Sequence, residues 1–405
     1  MRTERCLALF ATLLLAAPAS SQLAVRGETV FTMAGPAIAD GVVLIDRDGK
    51  IERVGPAAEV LIPDGVRVLE AAFVTPGLVD ARTTVGLSGL LNQPHDQDQL
   101  DRGNALQPGL RALDAYNAQD ELVQWLLGYG VTTVHTGHSP GALAAGQTIV
   151  VKTAYGTLDE ALVDSTTMLA MTLGPTIRGY FENPGTRARA AADLRRALYD
   201  ALEYARKRED RDPAKRPAYD LDKEALTAVA TGQMPALLTA HRANDILTAL
   251  RLAREFPQLE LVLDGAAEAY LVLDQIQAAG VPVILHPTMM RADGEAEHAT
   301  FETAARLHEV GIPFAIQSGY ETYVPKTRVV LFEAAMAAAH GLPTDAALAA
   351  VTIGAARILG VDDRVGSLEP GKDADLVLFD GDPFEYTSHV CAVVVDGRVV
   401  DEECR

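Results

Sequence analysis

Short apolar runs alternate with amphipathic helical stretches through the middle of this chain, and that alternation constrains the fold more than any other feature. The strand-like runs are Pro76 to Arg82, Val131 to Thr136, Gln147 to Thr153, Thr166 to Thr172, Met234 to Ala240, Leu259 to Gly265, Val281 to Pro287 and Ile312 to Gly319. Between them lie helical stretches at Asp120 to Gly128, Thr186 to Arg208, Asn244 to Phe256, Ala267 to Gly280, Ala299 to Gly311 and Thr344 to Leu359. The third of these places Ile246, Leu247, Leu250 and Ala253 on one face, and Asn244-Asp245 reads as its cap. Strands that alternate with helices predict a parallel sheet. A count of eight predicts that the sheet closes into a (β/α)8 TIM barrel. A doubly wound open sheet is the alternative, but no G-x-G-x-x-G follows a strand to support it.

Both ends of the chain read differently. Leu23 to Arg26, Thr29 to Thr32, Gly41 to Ile45 and Lys50 to Val54 are short β-like runs, and so are Ala374 to Phe379 and the pair flanking Asp396-Gly397. Asp-Gly between apolar runs is a hairpin signal. Each end holds too few strands to stand alone, so the two are expected to form one small β-sandwich. The length of 405 residues accommodates this beside a barrel of roughly 250. The expected division is a signal peptide at 1–19, a composite sandwich from 20–73 plus 365–405, and a barrel from 74–364.

The first residues read as a secretory signal. Arg2 and Arg5 precede an apolar run from Leu7 to Ala17, and Ala17-Pro18-Ala19 suits a signal peptidase. This predicts an exported protein, periplasmic in a bacterium-like cell, with Cys6 lost alongside the leader. That run is too short to span a bilayer, and no later one is long enough. Cys391 and Cys404 remain and flank the Asp396-Gly397 hairpin, so a disulfide and a pair of free thiols are both open. A net charge of −20 argues against a nucleic-acid groove. The basic stretch Arg187 to Arg211 is interleaved with Ala, Leu and Glu, as a solvated helix face would be.

Three stretches carry a resemblance: Val74-Thr-Pro-Gly-Leu-Val-Asp-Ala81, Leu238-Thr-Ala-His-Arg-Ala-Asn-Asp-Ile-Leu247, and Val365-Gly-Ser-Leu-Glu-Pro-Gly-Lys-Asp-Ala-Asp-Leu-Val-Leu-Phe379 followed by Val394-Val-Asp-Gly-Arg-Val. Together they resemble the amidohydrolase superfamily, in its imidazolonepropionase-like branch. The resemblance covers nearly the whole mature chain and implies hydrolysis of C–N bonds by metal-activated water. It also implies where the metal ligands should stand, and there this chain departs from the pattern. The paired histidines of the first barrel strand fall on Arg82 and Thr84, and the fourth-strand lysine on Ala170. The histidines of strands five and six fall on Thr239 and Gly265. The strand-eight aspartate falls on Gly319 or its neighbour Ser318. A guanidinium at position 82 cannot ligate a cation and would repel one.

Polar side chains nevertheless remain at the expected strand ends, where such barrels keep their active sites. His135 and His138 follow strand two, Lys152 ends strand three, His241 lies two residues beyond Thr239, and His286 ends strand seven. With Arg82 they are candidate ligand-binding residues, and His138 and His241 are the candidate catalytic ones. Each could equally be a hydrogen-bonded structural residue, Lys152 as an ion-pair partner. Arg82 could hold an anionic ligand such as a carboxylate, or could be neutralised internally by Asp80 or Asp264. His95 lies in a long loop after strand one, while His298, His308, His340 and His389 read as surface residues. Ser318 lacks a G-x-S-x-G elbow.

These residues leave three readings. A degenerate amidohydrolase would bind a small, possibly anionic, molecule or a partner without any metal cofactor. An active hydrolase would use the histidines at a relocated site, with zinc or another divalent metal. A third possibility is a scaffold in the cell envelope.

Overall fold

The computed structural model describes residues 22–91, 93–288, 294–320 and 329–405. The leader at 1–19, Cys6 included, lies outside the described residues.

The two chain ends do meet. Seven strands form one sheet in the order Arg398–Asp401, Val390–Val395, Leu376–Phe379, Arg67–Pro76, Leu23–Val30, Ile38–Ile45, Ile51–Pro56. Arg67–Pro76 is the pivot: it pairs in parallel with Leu23–Val30 and antiparallel with Leu376–Phe379. The sheet curls over itself, so Val25, Val43 and Ile51 from one end share a core with Ala374, Leu376 and Val394 from the other. Asp396 and Gly397 both take positive φ, as a two-residue hairpin requires. Cys391 and Cys404 are joined in a disulfide, and the tail folds back so that Val390 and Arg405 exchange two backbone hydrogen bonds.

Gly77 separates this sheet from the barrel, and a Cβ there would run into Thr132. The barrel is the expected (β/α)8 TIM type. Leu78–Thr83 pairs in parallel with Val131–Thr136. Leu169–Thr172, Ala236–Ala240, Leu261–Gly265, Val283–Leu285 and Phe314–Ile316 form a second parallel run. Val79, Val150, Met168, Leu237, Val262, Ile284 and Ala315 pack as one apolar layer inside it, plugged from below by the helix Ile353–Leu359. Alternate residues of a strand share a face. Thr239 therefore stands above Leu237, Asp264 above Val262, His286 above Ile284 and Gln317 above Ala315.

One stave differs from expectation. Ile149–Lys152 runs antiparallel to Val131–Thr136, and Ala144–Gln147 runs antiparallel to Leu169–Thr172. A parallel return needs a crossover of about a dozen residues or more. Only residues 137–143 are available, and they turn straight back, with Gly141 at φ +146°. Two helices, Leu221–Ala230 and Val330–Ala339, were not anticipated. The helix after strand five starts at Ala243, with no side-chain cap from its own N-cap residue. Its first N–H is instead satisfied by Glu268 from the loop after strand six, at 2.8 Å.

The reversed stave carries Lys152 to the strand-start end, opposite Thr133 and against the sandwich. Its side chain is 2 % exposed and donates to Asp373 at 2.8 Å, Asp375 at 3.2 Å and Asp396 at 2.5 Å. Burial pulls the ammonium pKa down, but the three carboxylates outweigh it and hold it above the ordinary lysine value. Asp373, also bonded to Lys50 and Arg364, is driven down to about 2 against the opposing effect of burial. Lys152 is thus an ion-pair partner joining the two domains, and the expectation that it binds a ligand at the barrel mouth is corrected. Lys152→Met is expected to lower stability by about 3–5 kcal/mol, because it strands buried carboxylates. Urea denaturation followed by circular dichroism measures this, and an unchanged midpoint would show that the network carries no stability.

Candidate functional site

At the strand-end mouth of the barrel, a cavity of about 60 Å³ is closed in by side chains from strands one, five, six, seven and eight. Arg82, Thr84, Thr239, Gly265 and Gly319 all line it. Five positions assigned to lost metal ligands from sequence therefore converge on one space. Ala170 does not reach it and is buried with Ala142 and Ala145. A larger groove of about 870 Å³ lies at the opposite end, where Pro235, Leu261, Pro282 and Pro313 begin the later strands. Its walls are mostly aliphatic and offer no acid–base set.

At two of the five positions the backbone takes the left-handed conformation. Gly265 has φ +78°, and a Cβ there would come within 2.5–3.1 Å of the His241 ring. Gly319 has φ +75°, and its Cβ would come within 2.5–2.7 Å of the His286 ring. Side chains other than glycine rarely adopt this conformation. The rings of His241 and His286 now fill the volume into which ligands on strands six and eight would project. Burial lowers the His241 pKa, while Asp264 opposes the shift.

Arg82 is 4 % exposed. It donates at 2.9 Å to the carbonyl of Thr83 and also to that of His138, and its Nε has no partner. Burial pulls its pKa down, and the charges of Asp264 and Asp80 act against that. Asp80 and Asp264 thus act on its charge through space, and neither takes up the Nε proton. Asp264 accepts from Gln317 Nε2 at 2.6 Å and from the Thr239 hydroxyl. Asp80 accepts from the Ser318 N–H at 3.1 Å, the Ser318 hydroxyl at 2.5 Å and the Arg82 N–H at 3.2 Å. Ser318 thus closes the barrel seam between strands eight and one. Burial still pushes the Asp80 carboxyl up to about 7, outweighing these hydrogen bonds.

Of the remaining candidates, His241 and His286 line the cavity. His135 does not: its Nδ1 meets the Ala81 carbonyl at 2.7 Å and its Nε2 the Thr148 hydroxyl at 2.6 Å. Burial, then the nearby Arg82, holds its pKa at about 3, so it is a neutral strut between staves. His138 is also outside the lining. Its ring lies over Gly146, its two nitrogens have no hydrogen-bond partner, and burial followed by Arg82 lowers its pKa to about 4. The reading of these two as mouth residues is corrected. Gln317 and Tyr320 line the cavity and were not singled out from sequence. Gln317 was detectable, since it lies two residues before Gly319 on the same strand.

The donor chemistry does not fit a metal centre. Among the described residues, no group of three or more His, Cys, Asp or Glu is arranged to hold a metal ion. At the mouth, both Asp264 oxygens already accept hydrogen bonds, and a guanidinium stands beside them.

The sequence profile described as the amidohydrolase family matches residues 73–400. The chain belongs to the amidohydrolase family. Within it, the chain sits in the imidazolonepropionase-like branch. It is 30% identical to the imidazolonepropionase of Symbiobacterium thermophilum over 423 residues, covering 93% of each chain. It is 26% identical to Amidohydrolase tasK of Hapsidospora irregularis, covering 88% of this chain and 39% of that longer one. Among solved structures, an amidohydrolase from Thermotoga maritima MSB8 superposes with a TM-score of 0.88 at 31% identity, over 94% of this chain and 100% of that one. A zinc-bound adenosine deaminase from Xanthomonas campestris, at 18% identity and a TM-score of 0.57 over 96% of this chain and 95% of that one, shares the fold. This amidohydrolase thus has hydrolase ancestry.

Asp80 supplies a pH test of this buried arrangement. Its folded pKa of about 7 lies above the ordinary 3.8, so between these values the folded chain holds a proton that the unfolded chain has released. Stability contributed by this group is full at low pH and falls as pH rises through that window. Asp80→Asn is expected to flatten the decline by on the order of 1 kcal/mol per pH unit. Denaturation midpoints collected from pH 4 to about pH 8 check this, and parallel curves for the two proteins would refute it.

Proposed function

We propose that this chain is a non-hydrolytic member of the amidohydrolase family that uses the barrel mouth to bind a small molecule or partner without metal chemistry. The observation that carries the reading is the backbone at the two positions aligned with ligands on strands six and eight. Glycine at positive φ stands in each ligand position, and a histidine ring from the neighbouring strand end occupies the vacated volume. The Arg82 charge beside them opposes a cation at the same place. Hydrolysis by a relocated histidine site is the competing reading. It now rests on His241 and His286 with Asp264 alone, since His135 and His138 lie outside the cavity lining.

Elemental mass spectrometry of the purified protein tests the choice. The expected result is zinc, iron and manganese well below one ion per chain, even after incubation with excess cation. Gly319→Asp is expected to leave that content unchanged and to lower stability by about 2–4 kcal/mol, from backbone strain and overpacking against His286. Stoichiometric metal, together with turnover of amides or cyclic imides that is lost in His241→Ala, would establish the competing reading.

Export completes the proposal. The basic start, the apolar run and the Ala17-Pro18-Ala19 site motivate it, and the Cys391–Cys404 disulfide supports it, because such bonds persist in oxidising compartments. Among the described residues, no helix is long and apolar enough to cross a membrane. Intact-mass measurement on protein recovered from a periplasmic extract is expected to show a chain beginning after Ala19. A full-length chain confined to the cytosol would overturn this.

A further inference from the structure

We propose that the barrel mouth holds one small planar oxyanion, of the size of formate or nitrate, seated on Arg82 and Thr84; this deepens, and rests on, the reading of the mouth as a ligand site. Three side chains that line the cavity carry buried polar atoms with no partner: Arg82 Nε, Thr84 Oγ1 and His241 Nδ1. A buried donor left unmet costs about 1–3 kcal/mol, and more on a charged group. The protein's own acceptors nearby are already engaged. Asp264 takes hydrogen bonds from Thr239 and Gln317, and the Thr83 and His138 carbonyls take the other two guanidinium nitrogens. The Thr84 hydroxyl can both donate and accept, whereas the Arg82 Nε–H can only donate, so a ligand that presents oxygens satisfies the guanidinium.

Size and charge narrow the class. The cavity of about 60 Å³ is small beside the groove of about 870 Å³ at the other end of the barrel, which favours a ligand of few heavy atoms. Guanidinium edges match planar oxyanions. Asp264, in the same wall, opposes a second negative charge, which leaves a monoanion.

The test is an NMR titration of the purified protein with 13C-formate, run in parallel with benzoate and sulfate. The expected result is saturable formate binding, none by the larger benzoate or the tetrahedral dianion, and affinity weakened at least about tenfold in Thr84→Val, the loss of one hydrogen bond to a charged ligand. Thr84→Val keeps the shape of the side chain and adds no charge, so it remains informative if Arg82→Lys does not fold. Absence of saturable binding, equal binding by benzoate, or native affinity in Thr84→Val overturns the assignment. If formate fails to bind a protein that also carries no metal, the oxyanion alone is removed and the non-hydrolytic reading stands. A preparation with stoichiometric metal at the mouth removes both.

Discussion

One ammonium group buried among three carboxylates is the junction on which the two-domain arrangement depends. Lys152 comes from the reversed stave of the barrel, while Asp373, Asp375 and Asp396 come from the sandwich. That stave runs backwards because seven residues cannot carry the chain across the sheet to start a parallel strand. The reversal delivers a lysine to the strand-start end, where a barrel is ordinarily concerned with stability rather than chemistry. Asp373 and Asp375 lie just before Leu376–Phe379, which pairs with Arg67–Pro76, the segment that leads directly into the first barrel strand, and Asp396 follows Val390–Val395, the next strand over. The same contact therefore fixes the sandwich and the origin of the barrel.

The opposite end of the barrel holds a second buried cation under different conditions. Lys152 donates to an acceptor for each of its protons. Arg82 spends two nitrogens on main-chain carbonyls and keeps one unmatched, with its charge balanced through space by Asp80 and Asp264. A saturated cation locks structure, whereas an unsaturated one beside a cavity still has a hydrogen bond to give. The contrast lies in hydrogen-bond accounting, since both side chains are almost fully buried.

Much of this was legible in the sequence, for identifiable reasons. The barrel followed from strand–helix alternation, and the sandwich from β texture confined to the two ends. Arg82, Thr84, Thr239, Gly265 and Gly319 were located because short motifs fix the register of a strand, and the side-chain period of two then fixes which residues face inward. Ala170 lacked such a motif and proved to be packed elsewhere. Lys152 was misplaced because an apolar run reveals a strand but not its direction; the length of the preceding turn held that information. His135 and His138 failed as site residues because spacing across a glycine carries no orientation. The disulfide stayed undecided, since two cysteines flanking a hairpin do not disclose that the tail returns to pair with Val390. The helix Leu221–Ala230 is signalled in the sequence only by its Asp220 cap, which accepts from the Lys223 N–H.

The left-handed glycines at the mouth also bear on the history of the chain. Placing a longer side chain at position 265 or 319 requires a different backbone conformation and eviction of the histidine ring above it. Any one of these changes made alone yields a protein that is strained or hollow. Glycine is therefore held at both positions by folding stability, whatever selection asks of the chemistry nearby. Sequence drift can vary the other walls of the cavity far more readily than it can change these two.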